Sequence, residues 1–489
     1  MDYDLIVIGG GAAGLTSAGM AANFGMKTLM VEADRLGGDC TWHGCIPSKA
    51  LLHLASLKNA ADQSMYFTDL EKVGKVDFKK VIQRVHELRD QVYQEADRPE
   101  IYEKMGVDLA FGKACFVDDH TIEISSETET KYLSSKYFII ATGSKAQIPD
   151  IAGIDQIPYL TNHTLFDLDT LPEHLVILGG GPVGCEMAQA FKRFGSKVTI
   201  LEAQDRLLPR DDPKAAQILL DQYRSEDIEV ILNADLQQLS MDQSQILCKM
   251  NNSDETDILK ASHFLVAAGR IPSIKSLKLD KAGVQTTKTG IFVNEYCQTN
   301  RRHIYAAGDV TGRFNLTHMA EHMAKTAITN IVFKIPKKMD SNKLTWVTYT
   351  DPEVAGLGMS EVQLLQKGRS FQVYEFPYSK VDRALATGNT KGLIRIFARS
   401  WDGKIYGAAV VGDRAGEMIA ELSLALKHGI TLRNIADTIH AYPSFALGVR
   451  RAADQWYVRK QSLGLVKFLK TLFRYRGALP DLSDPHRII

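Results

Sequence analysis

The chain contains 489 residues, with 58 basic and 58 acidic side chains that leave a formal net charge of zero. This balance gives the whole molecule no electrostatic preference for nucleic acid or an anionic membrane, and the length predicts roughly two to four domains. The first residues read as an apolar strand and no run of about 18 apolar residues follows, so we expect a soluble, cytoplasmic protein.

The first predicted element belongs to an internal repeat. Residues 3–33 and 173–203 align without a gap, and each copy reads as an apolar strand, a glycine turn, an amphipathic helix and a second strand that ends in glutamate. The glycines of each turn permit the tight turn, the approach of a pyrophosphate and the packing of helix on strand. They are Gly9, Gly11 and Gly14 in the first copy and Gly179, Gly181 and Gly184 in the second.

Glu32 and Glu202 end the two copies, and each is placed to accept hydrogen bonds from the ribose of an adenosine. Two dinucleotides in one chain imply an electron relay, most simply a bound flavin, FAD, that a nicotinamide nucleotide reduces. Glu202 repels a 2′-phosphate and therefore favours NADH, whereas the nearby Arg206 keeps NADPH open.

A cysteine pair follows the first repeat. Four of the six cysteines stand alone in the sequence, so we expect neither a framework of structural disulfides nor a resident metal site. Cys40 and Cys45 are separated by four residues, a span that lets their sulfurs reach bonding distance. Pro47 predicts that a helix begins near Cys45, where a thiolate has a lowered pKa. We interpret the pair as redox-active; a static disulfide or two buried thiols is the structural alternative.

The rest of the chain contains three more buried strands that end in glycine turns, at 137–144, 263–270 and 304–312. Pro149 and Gly153 mark an exit from the first domain. Residues 336–342 then read as a linker. Residues 344–459 carry no nucleotide motif and alternate strand and helix patterns, which predicts an α+β module with a different task.

The order of these motifs along residues 1–460 resembles the class I pyridine nucleotide–disulfide oxidoreductases. The set is G-G-G-A-A-G, G-G-x-C-x4-C-I-P-S-K, A-T-G-S, G-G-G-P-V-G-x-E, A-A-G-R-x-P and A-A-G-D. The resemblance implies an α/β fold with two Rossmann-like dinucleotide-binding domains plus an α+β dimerisation domain, and a homodimer with composite active sites. Its boundaries are 1–150 for the FAD-binding domain, with 275–340 returning to it, 151–274 for the NAD(P)-binding domain and 341–460 for the dimerisation domain.

The resemblance also implies roles for single residues. Cys45 would lie against the flavin as the charge-transfer thiolate, and Cys40 would exchange with the substrate. Lys49 and Glu186 would pair near the flavin and the nicotinamide. Asp309 would bind the ribitol of FAD, and further contacts to FAD would come from Ala114, Thr142 and Gly143. Gly269 would line the site of the nicotinamide nucleotide.

Residues 440–450 depart from the family pattern. Tyr442 stands before Pro443, where disulfide-reducing members place the general acid–base histidine, and Leu447 replaces the glutamate that orients it. A phenol with an ordinary pKa of about 10 is a poor base at neutral pH. Tyr442, His440 two positions earlier, and His43 between the cysteines therefore remain open as the acid–base group.

The sequence leaves the substrate open. Tyr442 and Tyr93, the latter in an L-R-x3-Y motif, are similar to the metal-guiding tyrosines of mercuric reductase, although the segment LPDLSDPHRII has no vicinal cysteine pair to load a metal. Asp39, Trp42 and His43 also replace family residues. Trp42 and His43 either adjust packing beside the flavin or shape a different cleft. The hypotheses are an NADH-driven reductase of a small or protein disulfide, a mercuric reductase-like reductase of a thiol-bound metal ion, a dihydrolipoyl dehydrogenase, and a flavin-bound redox sensor without turnover.

Residues 461–489 form a tail with its own pattern. Within it, residues 463–476 predict an amphipathic helix. Its apolar face carries Leu465, Val466, Leu469, Leu472 and Phe473, and its opposite face carries Lys467, Lys470 and Arg474. The helix either covers its own subunit or dimer, or docks on a membrane or a partner.

Overall fold

The computed structural model describes residues 1–63, 74–251 and 256–482. The chain folds into two compact units. The first unit contains residues 1–203 and 233–340, and the second contains residues 204–232 together with the chain from Ser341 onward. Both units mix helices with sheets, which confirms the predicted α/β class. The last seven residues of the predicted tail, 483–489, lie outside the described residues.

Each copy of the repeat folds as a strand, a helix and a second strand, as predicted, and a run of strands lies between the two copies. The strands are β1 Tyr3–Ile8, β2 Thr28–Glu32, β3 Val107–Phe111, β4 Lys113–Phe116, β5 Thr121–Ser125, β6 Thr130–Ile140, β7 Ser144–Ala146, β8 Tyr159–Leu160, β9 His174–Leu178 and β10 Lys197–Glu202. The helices are α1 Ala12–Asn23, α2 Gly38–Trp42, α3 Cys45–Gln63, α4 Phe78–Val92, which continues into a π-helical turn at Tyr93–Asp97, α5 Pro99–Lys104 and α6 Pro182–Phe194.

The middle of the chain is richer in strands. Its helices are α7 Pro213–Ser225 and α8 Thr317–Phe333. Its strands are β11 Glu229–Leu232, β12 Leu236–Asp242, β13 Gln245–Asn251, β14 Thr256–Ala261, β15 His263–Val266, β16 Arg270–Pro272 and β17 Ile304–Ala306.

The last third of the chain forms the body of the second unit and the tail. Its strands are β18 Thr345–Thr348, β19 Glu353–Gly358, β20 Gln372–Pro377, β21 Leu393–Ala398 and β22 Ile405–Gly412. Its helices are α9 Glu361–Gln366, α10 Asp382–Thr387, α11 Ala415–His428, α12 Leu432–Asp437, α13 Leu447–Lys460 and α14 Leu463–Phe473.

The two copies of the repeat build the centres of two separate sheets in the first unit. In one sheet β1 pairs in parallel with β2 and β6, β3 pairs with β2, and β17 adds beside β6. In the other, β9 lies between β10 and β15, and all three run parallel. Continuous apolar strands such as Leu5–Ile8 are fully buried, as expected for parallel sheets covered on both faces. The glycine turns therefore lie at the carboxyl ends of central strands, where α/β sheets bind ligands.

The second unit is organised around an antiparallel sheet in the order β18-β19-β22-β21-β20. Helices α11 and α13 contribute buried side chains, including Met418, Leu422 and Val449, to the apolar core on this sheet. One buried cation, Arg395 on β21, is bonded to Asp212 and also pairs with Glu361 at 2.8 Å and Glu375 at 3.0 Å. Three carboxylates thus compensate one desolvated guanidinium within this unit.

Candidate active site

The cysteine pair lies on two short consecutive helices of the first unit. Cys40 is in α2, and Cys45 is the first residue of α3, as Pro47 in the first turn predicts. Both are half-buried free thiols, so the structure has the pair in its reduced form. The Cys40 thiol is hydrogen-bonded to the Cys45 sulfur. The sequence therefore brings the two sulfurs together, as a dithiol–disulfide couple requires.

The surroundings of Cys45 stabilise a thiolate at this position. The pKa of Cys45 lies well below the ordinary thiol value. The hydrogen bond from Cys40 is the main cause, burial opposes it, and Thr317 and the charge of Lys49 add to it. The Thr317 hydroxyl lies 3.2 Å from the Cys45 sulfur and donates to it when the sulfur is ionised.

The same hydrogen bond acts on Cys40 in the opposite direction. The pKa of Cys40 is raised because its proton is shared with the Cys45 sulfur, and burial raises it further. The pair therefore shares one proton at neutral pH: Cys45 is the thiolate and Cys40 is the thiol. This asymmetry divides the two sulfurs into a stabilised electron donor and a protonated partner.

Lys49 and Glu186 form an ion pair beside the cysteines. Lys49 is one turn after Cys45 on α3, and its Nζ lies 2.8 Å from the Glu186 Oε2 on α6. The Glu186 side chain is only 5% exposed, whereas that of Lys49 is 38% exposed. Lys49 lowers the pKa of Cys45 and Glu186 raises it, so the pair sets the charge beside the sulfur. The predicted pair thus exists, and it joins the cysteine helix α3 to the second copy of the repeat.

Close approach of the chain requires glycine in both nucleotide turns. A Cβ on Gly14 would lie 1.8 Å from the carbonyl oxygen of Gly9, and a Cβ on Gly184 would lie 1.9 Å from that of Gly179. The two first glycines have φ values of 106° and 112°, which other residues rarely adopt. Both turns therefore have the shape of a dinucleotide-binding turn, with the helix packed tightly on the strand.

The middle glycine of each turn faces free space. A Cβ on Gly181 would meet no atom within 4 Å, and the nearest atom to one on Gly11 is the Gly38 Cα at 3.7 Å. Each turn also precedes a helix, α1 or α6, whose first N–H groups have no partner within the helix. A pyrophosphate therefore fits at both turns, and two such sites suit FAD and a nicotinamide dinucleotide.

Glu32 and Glu202 occupy equivalent positions at the ends of β2 and β10. The Oε2 of Glu32 accepts a hydrogen bond of 2.6 Å from the Gly10 N–H, and the Oε2 of Glu202 accepts one of 2.6 Å from the Gly180 N–H. Each carboxylate therefore lies beside its glycine turn, where an adenosine ribose is bound in such folds. The distances agree because the two copies share one local geometry.

A network of charged groups lies between the cysteine helix and the other predicted FAD contacts. The Asp309 carboxylate accepts a hydrogen bond of 2.6 Å from Ser144, and burial raises its pKa. Arg270 donates 2.7 Å hydrogen bonds to Ser144 and to Asp39. Burial opposes ionisation of Asp39, but the His163 hydrogen bond and the Arg270 charge outweigh it and lower the pKa. Asp39, next to Cys40, is therefore an ionised partner of Arg270.

The remaining predicted cofactor residues lie in or beside the strands that end at this network. Thr142 donates to the Ser273 carbonyl at 2.8 Å, and Gly143 has a φ of 66° with no atom near its missing Cβ. Gly269 has a φ of 125°, and its carbonyl accepts from the Gln147 N–H at 2.9 Å. Ala114 is buried on β4. Their contacts with cofactors remain predictions.

Trp42 and His43 pack against groups outside the cysteine pair. The Trp42 ring is buried, lies 5.0 Å from the Tyr93 ring, and has the Arg35 guanidinium 3.5 Å above it. His43 stacks on His163 at 4.3 Å. The structure therefore gives Trp42 a packing role, and the L-R-x3-Y tyrosine, Tyr93, is part of the same packing.

The second unit contains the segment that departs from the family pattern. His440 is 7% exposed, and both of its ring nitrogens are engaged, one with the Thr438 carbonyl at 3.0 Å and one with the Glu421 carboxylate at 2.9 Å. Tyr442 is 71% exposed, and Leu447 is buried at the start of α13. The Tyr442 side chain is thus exposed to solvent, whereas the His440 ring is hydrogen-bonded on both sides within the second unit.

Several residues that shape these sites escaped the sequence reasoning. Thr317, Arg270, His163 and Glu421 each contact a predicted residue from a distant part of the chain. Arg270 lies inside a motif that was recognised, so its A-A-G-R position was a usable signal. The other three carry no motif, and only the fold brings them to their partners.

A cluster of metal-ligating residue types lies elsewhere in the first unit. Asp119, His120 and His303 each place one ligand atom within 4.8 Å of the others. The two imidazole rings stack at 4.0 Å, and each donates one hydrogen bond to a backbone carbonyl, at 2.9 Å to Ser135 and 2.6 Å to Asp119. These bonds give both rings a structural role, and the expectation of no resident metal stays a prediction.

Two family models match the chain. The model described as pyridine nucleotide-disulphide oxidoreductase matches residues 3–324, and its dimerisation domain matches residues 344–453. Together they cover the two nucleotide turns, the cysteine pair and the sheet of the second unit. The match to the dimerisation domain ends before α14.

Curated relatives and solved structures agree with these models. The chain is 33% identical over 459 residues to a mercuric reductase of Lysinibacillus sphaericus, covering 92% of this chain and 82% of that protein. It is 30% identical over 462 residues to a dihydrolipoyl dehydrogenase of Bacillus subtilis (strain 168), covering 92% of this chain and 97% of that protein. A Cu(II) complex of the HOCl-induced flavoprotein disulfide reductase RclA from Escherichia coli superposes with a TM-score of 0.83 at 27% identity, covering 93% of this chain and 99% of that one.

Proposed function

Because the chain belongs to the pyridine nucleotide-disulphide oxidoreductase family, we propose that its Cys40–Cys45 dithiol reduces a soft metal ion that is bound to thiols. The chain is an FAD-dependent oxidoreductase that uses a pyridine nucleotide. The observation that carries the choice of a metal ion is that Tyr442 replaces the usual acid–base histidine while both ring nitrogens of His440 are engaged. The Cys45 thiolate serves as the electron donor for any acceptor.

FAD would be held at the first glycine turn, and the nicotinamide nucleotide at the second. Gly9, Gly11, Gly14 and Glu32 would contact the adenosine diphosphate of FAD; Asp309, Thr142, Gly143 and Ala114 would contact its remaining parts; and Gly179, Gly181, Gly184, Glu202 and Gly269 would contact the nicotinamide nucleotide. When bound, FAD would accept a hydride from the nicotinamide and pass the electron pair to the Cys40–Cys45 disulfide.

The chain's own residues keep the electron-donating sulfur ionised. Thr317 and Lys49 stabilise the Cys45 thiolate, so little energy is needed to ionise it at neutral pH. Glu186 limits the excess positive charge that Lys49 brings to the site. Cys40 retains the proton and would be the sulfur that meets the substrate.

NADH is the proposed electron source. Glu202 accepts a hydrogen bond from its glycine turn and is buried, so its carboxylate stands where a 2′-phosphate would have to enter. Repulsion between the two anions would weaken the binding of NADPH. A comparison of the two nucleotides as reductants at equal concentration tests this preference.

The acid–base chemistry favours a metal ion over a disulfide as substrate. A disulfide releases a thiolate that a general acid normally protonates, and Tyr442 is a weak acid–base group in place of the usual histidine. His440 has both nitrogens engaged. In the reduction of a thiol-bound soft metal ion the electron pair goes to the metal, and the ligands leave as the thiolates that they already were. No newly formed thiolate has to be protonated, so this reaction depends less on a general acid. Thiolate pairs are also the ligands that soft metals prefer.

Tyr442 is the proposed guide for the metal ion. Its exposed phenol oxygen suits a role in steering an ion toward Cys40 of a second subunit. The relatives named mercuric reductase, and the solved Cu(II) complex of RclA, support a thiophilic metal as substrate.

The proposal includes a homodimer in the cytoplasm. Residues 344–453 match a dimerisation domain, so we assign residues 341–460 to it and leave 1–150 with 275–340 to FAD and 151–274 to NAD(P). A small or protein disulfide is the second candidate substrate, supported by the relative named a flavoprotein disulfide reductase. The dihydrolipoyl dehydrogenase reading is weaker because the acid–base histidine is replaced by Tyr442.

A panel of electron acceptors tests the proposal. NADH oxidation by the FAD-loaded chain is measured with thiol-bound Hg(II), Cu(II) added without thiols, glutathione disulfide and lipoamide. We expect a metal complex to give the highest kcat/KM, and we expect Tyr442→Phe to lower turnover of that complex while disulfide turnover changes little. Faster turnover of a disulfide, with no response of metal turnover to Tyr442→Phe, would contradict the metal assignment.

A further inference from the structure

The last helix that the structure describes has most of its side chains exposed. Helix α14, Leu463–Phe473, is named the tail helix below; none of its residues is buried. The Ser462 side chain caps its first turn by accepting a hydrogen bond of 3.1 Å from the Leu465 N–H. A capped helix of this length with an unpacked surface normally gains its stability from contact with another body.

Apart from Leu463 in its first turn, the tail helix has an apolar side and a basic side. At 3.6 residues per turn the apolar side chains cover slightly less than half of the circumference, and the two lysines lie on the other half. The apolar side consists of Leu465, Val466, Phe468, Leu469, Leu472 and Phe473, and the basic side of Lys467 and Lys470. Leu472 is 57% exposed, and Phe468 and Phe473 are exposed as well.

The charge around the tail helix has one sign. Residues 455–480 contain six basic side chains and no acidic one, although the chain as a whole has no net charge. The six are Arg459, Lys460, Lys467, Lys470, Arg474 and Arg476. From this combination we infer that the tail helix docks on an anionic membrane surface, with its apolar side inserted between the lipids and its cations at the headgroups. The inference goes beyond the proposed function and does not depend on it.

The dimensions of the tail helix fit a position in the plane of the membrane. Its 11 residues span about 16 Å, roughly half of the hydrocarbon thickness. Within the described residues, no helix is long and apolar enough to cross a bilayer. The tail helix would therefore lie on the surface and bind reversibly.

An exposed tryptophan lies where the tail begins. Trp401 is 67% exposed, and its carbonyl accepts a hydrogen bond of 3.1 Å from the Lys460 Nζ. The guanidinium of Arg399 lies 4.4 Å over its ring and is paired with the neighbouring Asp402. Tryptophan with neighbouring basic groups is typical of the headgroup region, so the surface that would meet the lipids extends from the tail helix to Trp401.

Charge also argues against a second copy of the chain as the occupant. The match to the dimerisation domain ends at residue 453, before the tail. A chain without net charge offers no general attraction to a segment with six cations, whereas an anionic bilayer does. The partner that the tail helix would bind is therefore an anionic lipid surface.

Co-sedimentation with vesicles tests the inference on the full, FAD-loaded chain. One set of vesicles contains phosphatidylcholine alone, and the other contains phosphatidylcholine mixed with phosphatidylglycerol. We expect the chain to pellet with the anionic vesicles, to remain in solution with the neutral ones, and to be released by salt.

Variants separate the apolar and the charged contributions. Leu472→Glu should lower binding at least about tenfold because one buried leucine is lost, and Lys467→Gln with Lys470→Gln should lower it roughly thirtyfold. Ile258→Glu is the control, since Ile258 is exposed to the same 57% as Leu472 but lies on β14. NADH oxidation should be the same in all of these variants, which shows that they fold and load FAD.

The inference fails if the chain stays in solution with anionic vesicles, or if Leu472→Glu and Ile258→Glu bind equally well. Sedimentation velocity without lipid is measured in parallel. A Leu472→Glu chain with a smaller assembly than the unaltered chain would show that a second copy covers the tail helix, and would also overturn the inference.

Discussion

Two regions of the molecule were expected to serve the same reaction, and they differ in how their charged groups are used. In the Cys45 pocket, defined by Cys40, Cys45, Lys49, Glu186 and Thr317, every polar group acts on one sulfur. In the His440 loop, residues 438–446, the ionisable histidine is bound to Glu421 and to a backbone carbonyl of its own unit.

The difference separates the supply of electrons from the handling of protons. The Cys45 pocket contains a complete set of groups for holding a thiolate. The His440 loop presents an exposed phenol and keeps its imidazole engaged. We therefore expect substitutions in the pocket to affect every acceptor, and substitutions in the loop to affect some acceptors only.

The largest effect is expected for Cys45→Ser. The variant should still bind FAD and accept a hydride from NADH, but turnover of any thiol-bound metal or disulfide should fall on the order of a thousandfold or more, as when a covalent nucleophile is removed. Steady-state NADH oxidation with each acceptor measures it. Cys297→Ser, at a buried cysteine outside the pocket, is the control and should retain turnover. Retained metal turnover in Cys45→Ser would break the link between the pocket and the reaction.

Opposite shifts are expected for the two members of the ion pair. Lys49→Met removes a positive charge and should raise the pKa of Cys45 by about one unit or more, whereas Glu186→Gln removes a negative charge and should lower it. The pKa of Cys45 in each variant is measured from the pH dependence of alkylation of the reduced protein. The measurement is made once with Cys40 present and once with Cys40→Ser added. Shifts of the same sign would show that the ion pair acts through packing and not through charge.

A shift of similar size is expected for Thr317→Val. The change keeps the shape of the side chain and removes its hydroxyl, so a charge-assisted hydrogen bond to the thiolate is lost. The pKa of Cys45 should rise by about one unit, and the thiolate should then disappear at a higher pH as the solution is acidified. Thr329→Val, a half-buried position on the same helix, should leave the titration unchanged.

The smallest effect on electron supply is expected for His440→Gln. The substitution removes the bond to Glu421, and we expect a loss of stability of about 1 to 3 kcal/mol. The rate of reduction of FAD by NADH should change less than about twofold, because both ring nitrogens of His440 bind groups of the second unit. Urea denaturation and stopped-flow absorbance measure the two quantities. A large loss of disulfide turnover at full stability would assign the acid–base role to His440.

The sequence was most informative where one local pattern determines one local structure. The glycine turns and the helix that begins at Cys45 follow from motifs in which each position has a physical reason. The Lys49–Glu186 pair was expected from the family resemblance alone. The tail helix was predicted as 463–476 and ends at Phe473, because Arg474 has a φ of 54° and terminates it.

Contacts between distant segments could not be predicted in the same way. Thr317 reaches Cys45 only because α8 packs in the first unit, and Glu421 reaches His440 only because α11 lies beside the loop. Asp39 was recognised as unusual, but its partner Arg270 follows from the meeting of α2 with the start of β16. A single sequence carries no record of such meetings.

Anaerobic titration of the FAD-loaded protein with NADH tests the central claim most directly. If Cys45 is a thiolate against the flavin, the first equivalents of NADH should produce a long-wavelength charge-transfer band, and the band should vanish as the pH falls below the lowered pKa of Cys45. The band should be absent in Cys45→Ser. Bleaching of the flavin without such a band, while Cys45 is intact, would contradict the account.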